Sequence, residues 1–377
     1  MSSRWTLTVM VGPAVPIPLP RAVLDDLASV EVTHTAERRK PGGFRLQFVL
    51  GKRSPLHTIF LAAGGALPPI LRTLIVATID GTPHVLMDGV VTKQEVTPGS
   101  DPSHDMLSVT GVDLTAVMGL IDFSGTPFPA MPIEARVAVI LAKYAMFGVV
   151  PRIIPTVLFE APLPTERIPS QKGTDLEYVN TLAEEVGYVF YLEPGPVPGM
   201  TTAYFGPEIK LGVPQPALST NMDAHTNVES LSFSLDTEEK TMPVTVIQEL
   251  MSKIPIPIPL PDINPLNPLL GVVPLLAKRI EYVKDSAKRS PIQAVLHAMA
   301  RAAGTADGVN GLGTLDVLRY GRPLQARRLV GVRGAGIAFD GLHFVQRVTH
   351  RIKRGEYKQE FALARNGLVS TLPAVPV

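Results

Sequence analysis

The stretch "GLHFVQRVTHRIKRGEYKQEFALAR", Gly341–Arg365, reads as two β-strands folded about the turn "KRGE". Side chains alternate between the two faces of a strand, so Phe344, Val348 and Ile352 on the first arm meet Phe361 and Leu363 of the second on one face. Arg347, Arg351 and Lys358 share the other face. A one-residue slip would exchange the two sets, so the pattern fixes the register. The hairpin reads as a pair of barrel strands with a basic outer or lumenal side.

Working outward, "RLVGVRGAG" just before the hairpin is another strand, and "GTADGVNGLG" before that reads as a Gly-rich loop. The first hundred residues repeat the β pattern in "WTLTVMVG" (Trp5–Gly12), "FRLQFVLG" (Phe44–Gly51), "LRTLIVATIDG" (Leu71–Gly81), "HVLMDGVVTKQEV" (His84–Val96) and "DMLSVTGVD" (Asp105–Asp113). The pattern resumes in "VESLSFSLD" and "MPVTVIQEL" between Asn227 and Leu250. Closely spaced strands with little helix between them imply a small barrel or sandwich. Proline at 255, 257, 259 and 261 denies "IPIPIPLPDINPLNP" a regular donor ladder, so it reads as an extended spacer or edge. A helix is expected from about Leu275 to Ala303.

Helical periodicity appears mainly in the middle of the chain. A short helix fits within Thr110–Leu120, and "PIEARVAVILAKYAMFG" (Pro132–Gly148) has proline in its first turn, Glu134 facing the helix dipole and a terminal glycine. In "KGTDLEYVNTLAEEVGYVFYLEPG" (Lys172–Gly195), Thr174 and Glu177 form a capping box. Leu176, Val179, Leu182, Ala183 and Val186 then line one helical face, Gly187 stops the helix, and "YVFYLEP" is a strand. "TTAYFGP" (Thr201–Pro207) follows as a second strand, giving a helix backed by a hairpin.

Composition bounds the rest. A chain of 377 residues exceeds what one core supports, so two to four domains are expected. Apolar content of 45% with 18% charged residues is globular. The 37 prolines and 31 glycines favour short strands and turns over long helices. Absence of cysteine excludes disulfides, thiol catalysis and cysteine-based zinc sites. The N-terminus lacks a secretory signal pattern. "IFLAAGGALPPILRTLIVATI" (Ile59–Ile79) is long enough to span a bilayer, but Gly64-Gly65, Pro68-Pro69 and Arg72 interrupt it. It reads as a loop followed by a buried strand from Leu71 to Ile79, in a soluble protein. From Gly313 to Val377 eleven Lys and Arg face four Asp and Glu, a surplus of seven; the other 312 residues then carry −6 of the +1 total. Such asymmetry fits nucleic acid or an acidic surface of another copy or partner.

Catalytic patterns are missing. There is no GxxxxGK[ST] and no GxSxG, and "GAGIAFDG" at Gly334 lacks the final glycine and the strand-to-helix context of a dinucleotide fingerprint. His34, His57, His84, His104, His225, His297, His343 and His350 are scattered without metal-ligand spacing and read as surface or turn residues. The carboxylate pairs Asp25-Asp26 and Glu184-Glu185 are adjacent in sequence; on a helix such neighbours diverge, so the second reads as a solvated face. No catalytic, cofactor-binding or metal-binding residue is expected. A single-strand nucleic-acid binder would interleave aromatics with its charges, whereas Phe344, Tyr357 and Phe361 fall opposite Arg347 and Arg351. A charged assembly surface fits better.

The order "MDGVVT…SVTGVDLTAVMGL", then "GTDLEYVNTLAEEVGYVFYLEPG…AYFGP", then "GVRGAGIAFDGLHFVQRVTHRIKRGEYKQEFALARNG" resembles the phage late control D family, the baseplate hubs of contractile tails. That family includes phage tail hubs, the N-terminal hub portion of VgrG spikes in type VI secretion, and hubs of extracellular injection systems. The resemblance spans about Val85–Gly367; the helix-to-strand unit and "FDGLHFVQRVTHRIKRGEY" are its most specific pieces. It implies a mainly β fold with two small tube-type β-barrels per chain, inserted α+β modules, and three chains closing into a pseudo-hexameric ring. It implies a symmetry adaptor between a hexameric inner tail tube and a trimeric spike, in contact with other baseplate subunits and with neither nucleic acid nor membrane. VgrG-type spikes continue into further domains, whereas this sequence stops at "STLPAVPV", so a separate spike protein is expected and no fused lysozyme domain.

The expected division is a first barrel (1–112), a helical and α/β inserted module (113–225), strands returning to a barrel (226–252), a Pro-rich spacer and helix (253–312), and a second barrel segment with the C-terminal hairpin (313–377). Leu61–Pro69 and Pro255–Pro268 stand outside this scheme; a plug, a docking arm and a trimer contact all suit them. Assembly in the producer cytoplasm into the baseplate of a tail-like particle, extracellular after release, is the expected location. A particle-associated cell-wall hydrolase and a nucleic-acid-binding barrel remain the alternatives.

Overall fold

Strands fall where apolar and polar residues alternate. The computed structural model describes residues 5–13, 15–51, 54–56, 59–60, 70–98, 105–156, 168–236, 241–248, 255–259, 268–275, 278–282 and 307–372. The first part contains β1 (Trp5–Gly12), β2 (Ile17–Pro18), α1 (Arg21–Asp25), β3 (Leu27–Thr35), β4 (Gly43–Leu50), β5 (Arg72–Ile79), β6 (Thr82–Pro98) and β7 (Asp105–Asp113). A module follows with α2 (Thr115–Met118), α3 (Ile133–Ala142), β8 (Val149–Ile153), α4 (Asp175–Glu185), β9 (Val189–Pro194) and β10 (Thr201–Gly206). Then come β11 (Gln215–Ser219), β12 (Val228–Leu235), β13 (Thr241–Gln248), β14 (Pro255–Pro259), β15 (Gly271–Pro274) and β16 (Arg279–Tyr282). The last part holds β17 (Val309–Asp316), α5 (Val317–Tyr320), β18 (Leu329–Arg333), β19 (Gly341–Lys353), β20 (Glu356–Arg365) and β21 (Gly367–Ser370).

One 13-stranded sheet joins both ends of the chain in the order β12-β17-β20-β19-β3-β4-β7-β6-β5-β1-β2, with β18 beside β19 and β11 beside β18. The hairpin read first in the sequence, β19–β20, lies at its centre, and β19 pairs antiparallel with β3 from Arg347↔Thr35 to Lys353↔Ser29. Phe48, Leu46, Ile75, Met87 and Tyr357, all fully buried, belong to the main apolar cluster packed on this sheet, while Leu329 and Phe344 form a smaller one with Leu270. Each buried side chain of this size contributes about 1.5–3 kcal/mol.

The sheet is built twice from one plan. In β3–β4–β7, Phe44 pairs directly with Gly111, and in β19–β20–β17, Phe361 pairs directly with Gly313. A Cβ on Gly313 would sit 2.5 Å from the Phe361 ring and 2.6 Å from the Ser230 carbonyl; one on Gly111 would fall on the Phe44 ring and the Val90 carbonyl. Each glycine strand then ends at an aspartate that receives backbone amides and opens a four-residue helix. Asp113 accepts from Thr115 N ahead of α2, and Asp316 accepts from Leu318 N at 2.8 Å and Arg319 N at 3.1 Å in α5. Because β3 and β19 run antiparallel side by side, the two halves are disposed as a local two-fold through the sheet would place them.

The inserted module has its own three-stranded sheet, β8-β10-β9, and its own core, including Val137, Ile140, Val179, Leu182 and Phe205. The capping box is present: Thr174 Oγ1 accepts from Glu177 N at 3.3 Å while Glu177 Oε2 accepts from Thr174 N at 2.9 Å. Thr174→Ala is expected to lower stability by about 1 kcal/mol, measured as an earlier thermal unfolding transition.

Several sequence expectations change. "GTADGVNGLG" is no loop beyond Gly308, since β17 begins at Val309 and its glycines make room for Phe233 and Phe361. The expected helix from Leu275 is replaced at its start by β16, which pairs with β13; the rest of that helix lies outside the described residues. The strand in Thr110–Leu120 runs to Asp113, leaving only α2 helical. α3 stops at Ala142, and Ala145–Phe147 form a 3-10 turn before Gly148. β3 had no sequence expectation, because His34 and Glu31 interrupt its apolar signal. Pro255–Pro259 forms the edge strand of β14-β13-β16, as a segment poor in donors must. Leu61–Pro69 lies outside the described residues.

Candidate functional site

Where acids are buried, they act as pins. Asp88, in the "MDG" of β6, is 1% exposed and takes a bidentate ion pair from Arg72, Nε at 2.8 Å and Nη2 at 2.6 Å. Thr201 Oγ1 donates to the same carboxylate at 3.0 Å, and Arg72 Nη2 also donates to the carbonyls of Phe147 at 2.7 Å and Gly199 at 3.1 Å. The main sheet is thereby bonded to two parts of the module, the 3-10 turn at Phe147 and the β9–β10 turn at Gly199. Asp113 accepts from Gly42 N at 2.7 Å as well as from Thr115. Burial raises its carboxyl above the ordinary value, and those hydrogen bonds offset only part of that rise. Asp175, at the start of α4, accepts from Tyr144 OH at 2.7 Å, Gln171 Nε2 at 2.7 Å and Lys143 Nζ at 3.1 Å. Burial, with Asp175 alongside, raises the Tyr144 phenol.

The adjacent carboxylate pairs sit with cations at the surface. Glu184 pairs with Arg39 at 2.6 Å, and Asp25 lies 3.9 Å from Arg354. Among the described residues no cluster of three or more His, Asp or Glu is arranged to hold a metal ion.

A second junction between module and sheet is aromatic and cationic. The Arg327 guanidinium lies 3.9 Å from the centre of the Tyr191 ring, Tyr191 stacks on Tyr204 at 4.9 Å, and Arg152 lies 5.8 Å from Tyr204. The residues border a cavity of about 380 Å3. Arg327 counts toward the basic C-terminal surplus in the sequence, yet here it is a packing residue, and burial lowers its pKa.

The hairpin's outer face carries Arg347, Arg351 and Lys358 as the alternation required, and two of these charges, Arg351 and Lys358, are matched. Arg351 Nε is 2.9 Å from Glu360 and its Nη1 is 4.0 Å from Glu31 of β3. Lys358 lies 3.0 Å from Glu229 of β12 and 3.1 Å from Glu356. Two of these acids, Glu31 and Glu229, come from strands distant in sequence, so a local charge count misses them. Each exposed pair contributes about 0–1 kcal/mol, so this row sets complementarity more than stability.

The expectation that all histidines are surface or turn residues is corrected. His343 and His350 are buried, and His34 is part-buried with Nε2 2.6 Å from the Leu86 carbonyl. A neutral imidazole with a hydrogen-bond partner is a tolerable core group, and alternation along β3 and β19 carries these positions inward. Burial lowers His34 to about 4 and His343 to about 3. Arg365 went unnoticed as well. It is fully buried and donates to the carbonyls of Gly367 at 2.5 Å, Asp340 at 2.8 Å and Ala338 at 3.0 Å, holding the turn before β19. Spacing does not reveal them, since His34, His343 and Arg365 are met by backbone carbonyls and His350 by the Tyr357 hydroxyl.

No protein-family model matches the sequence, and no curated protein matches it. Solved structures do. A tail protein from Neisseria meningitidis MC58 aligns over 97% of this chain and 98% of its own, with a TM-score of 0.63 at 16% identity. The 43 kDa tail protein of prophage MuSo2 from Shewanella oneidensis aligns over 96% and 98%, at 0.60 and 14%. The chain has a phage tail-protein fold. The tail-protein fold also relates it to a Francisella PdpA–VgrG complex, at a TM-score of 0.58 and 8% identity over 99% of this chain and 54% of the other. Identities this low convey the fold alone. The mainly β architecture expected from the sequence is thus that of phage tail and VgrG-like proteins. No helix among the described residues is long and apolar enough to cross a membrane.

Proposed function

We propose that this chain is a structural baseplate hub of a contractile tail-like particle or injection system, a homotrimer that joins the hexameric inner tube to a separate trimeric spike. The observation that carries this reading is the doubled plan of the sheet, with Phe44–Gly111–Asp113 in one half and Phe361–Gly313–Asp316 in the other. Two similar curved units per chain, each the basis of one small tube-type barrel, become six in a trimer. A ring of that kind presents pseudo-sixfold symmetry to a tube and true threefold symmetry to a spike, which closed assemblies require at each contact. The fold shared with tail proteins supports a place in the tail or baseplate. In this reading other baseplate subunits contact the module, and the particle assembles in the producer cytoplasm. Buried Asp88, Asp113 and Asp175 are taken up by hydrogen bonds within the fold, which supports a structural role for these three acids. Electron-microscopy class averages of the purified protein with its tube and spike partners test the proposal. Rings with six similar densities and threefold outer decoration are expected; particles without a ring contradict it.

A further inference from the structure

Beneath the tip of the β9–β10 hairpin, a cavity of about 210 Å3 separates the module from the main sheet, and three histidines face it: His34 from β3, His84 from β6 and His350 from β19. We infer that this cavity is an acid-released latch, closed while the three imidazoles are neutral and opened when they are protonated, so that the module tip lifts from the sheet.

Geometry fixes the neutral state. The His34 and His350 rings meet edge to face at 6.0 Å. Gln359 accepts from Leu324 N at 2.8 Å through Oε1 and donates to Leu324 O at 2.9 Å through Nε2, which sets its amide. That amide nitrogen is 3.3 Å from His350 Nδ1, and Tyr357 OH is 2.8 Å from it, so Nδ1 serves as an acceptor. Protonating His350 would set an Nδ1–H against the Gln359 amide donor and force the Tyr357 hydroxyl to turn from donor to acceptor.

The charges around the cavity oppose protonation. Arg327 stands beside His34, Arg322 beside His84, and the histidines face one another. The acid at the cavity wall is Glu193, 3.5 Å from Arg328; Asp113 and Glu208 lie near Arg327. Burial keeps the Tyr191 and Tyr357 phenols neutral. Burial is also the leading cause that lowers all three histidines. A group with lowered pKa adds stability that is present above its ordinary value and is lost as pH falls toward its folded value. The window is therefore below about pH 6.5. The module's other attachments, Arg72–Asp88–Thr201 and the pairs Arg327–Tyr191, Arg328–Glu193 and Arg39–Glu184, contain no histidine, so the buried Arg72–Asp88 pair is the pivot on which the tip swings.

Hydrogen exchange of the full chain at about pH 7.5 and about pH 5, corrected for intrinsic rates, tests this. With His34 held at about 4 against 6.5 when released, protection of residues 83–86 and 189–196 should fall about 30-fold at about pH 5, while β4 keeps its protection. The triple variant His34→Gln, His84→Gln, His350→Gln should lose that pH dependence. If circular dichroism shows the triple variant unfolded, His84→Gln alone, at a part-exposed position, should still reduce the fall. Equal protection at both pH values, a proportional loss in β4, or an undiminished fall in the variants would overturn the latch.

Discussion

Asp88→Ala is expected to destabilise the protein by about 3–5 kcal/mol, because it leaves the Arg72 guanidinium buried without its counter-charge. The pair is 4% and 0% exposed, so water cannot replace the lost carboxylate. The damage should spread beyond the pair. Arg72 also holds Phe147 O and Gly199 O, and Thr201 loses its acceptor, so the turn of the module detaches from β5 and β6 together. Urea unfolding followed by near-ultraviolet circular dichroism would read this as an early transition of the module ahead of the main sheet. Replacing both partners with apolar residues of similar volume should cost much less, since an unpaired charge is what makes the single change severe. Equal losses for the single and double changes would show that the pair is not the pin.

Gly111→Val and Gly313→Val should each cost at least about 1–3 kcal/mol, because an aromatic ring already occupies the space of a side chain. The two should behave alike although they lie 202 positions apart in a sequence with no visible repeat between them. In each, shrinking the covering ring should restore part of the loss: Phe44→Ala for Gly111→Val, and Phe361→Ala for Gly313→Val. Double-mutant cycles measure that coupling directly. A cycle with no coupling in one half would mean that the doubled plan is a resemblance of backbone only.

Most of the strand architecture was legible because it rests on alternation, which is local. The β1 bounds, the buried β5, the capping box at Thr174 and the basic face of β19–β20 follow from residue spacing, but a bulge between Val345 and Arg347 puts Val345, not Phe344, on the face of Val348, Ile352, Phe361 and Leu363. What could not be read depends on distant partners. β17 looked like a loop because its glycines gain their meaning from Phe233 and Phe361, 78 and 48 residues away from Gly311 and Gly313. The basic hairpin looked like an isolated charge because Glu31 and Glu229 reach it only through the sheet order. Asp88 lay within a segment that drew attention by its pattern, yet nothing local announced Arg72 as its partner. The histidines pointed inward for the same reason: the sheet order carries β3 beside β19 and brings His34 to His350.

The central claim, a trimeric hub built from doubled sheets, is tested most directly by the solution mass of the purified chain, measured by size-exclusion chromatography with light scattering, alone and with its spike partner. Three chains, either alone or once the spike is added, are expected. A stable monomer that ignores the spike would contradict it.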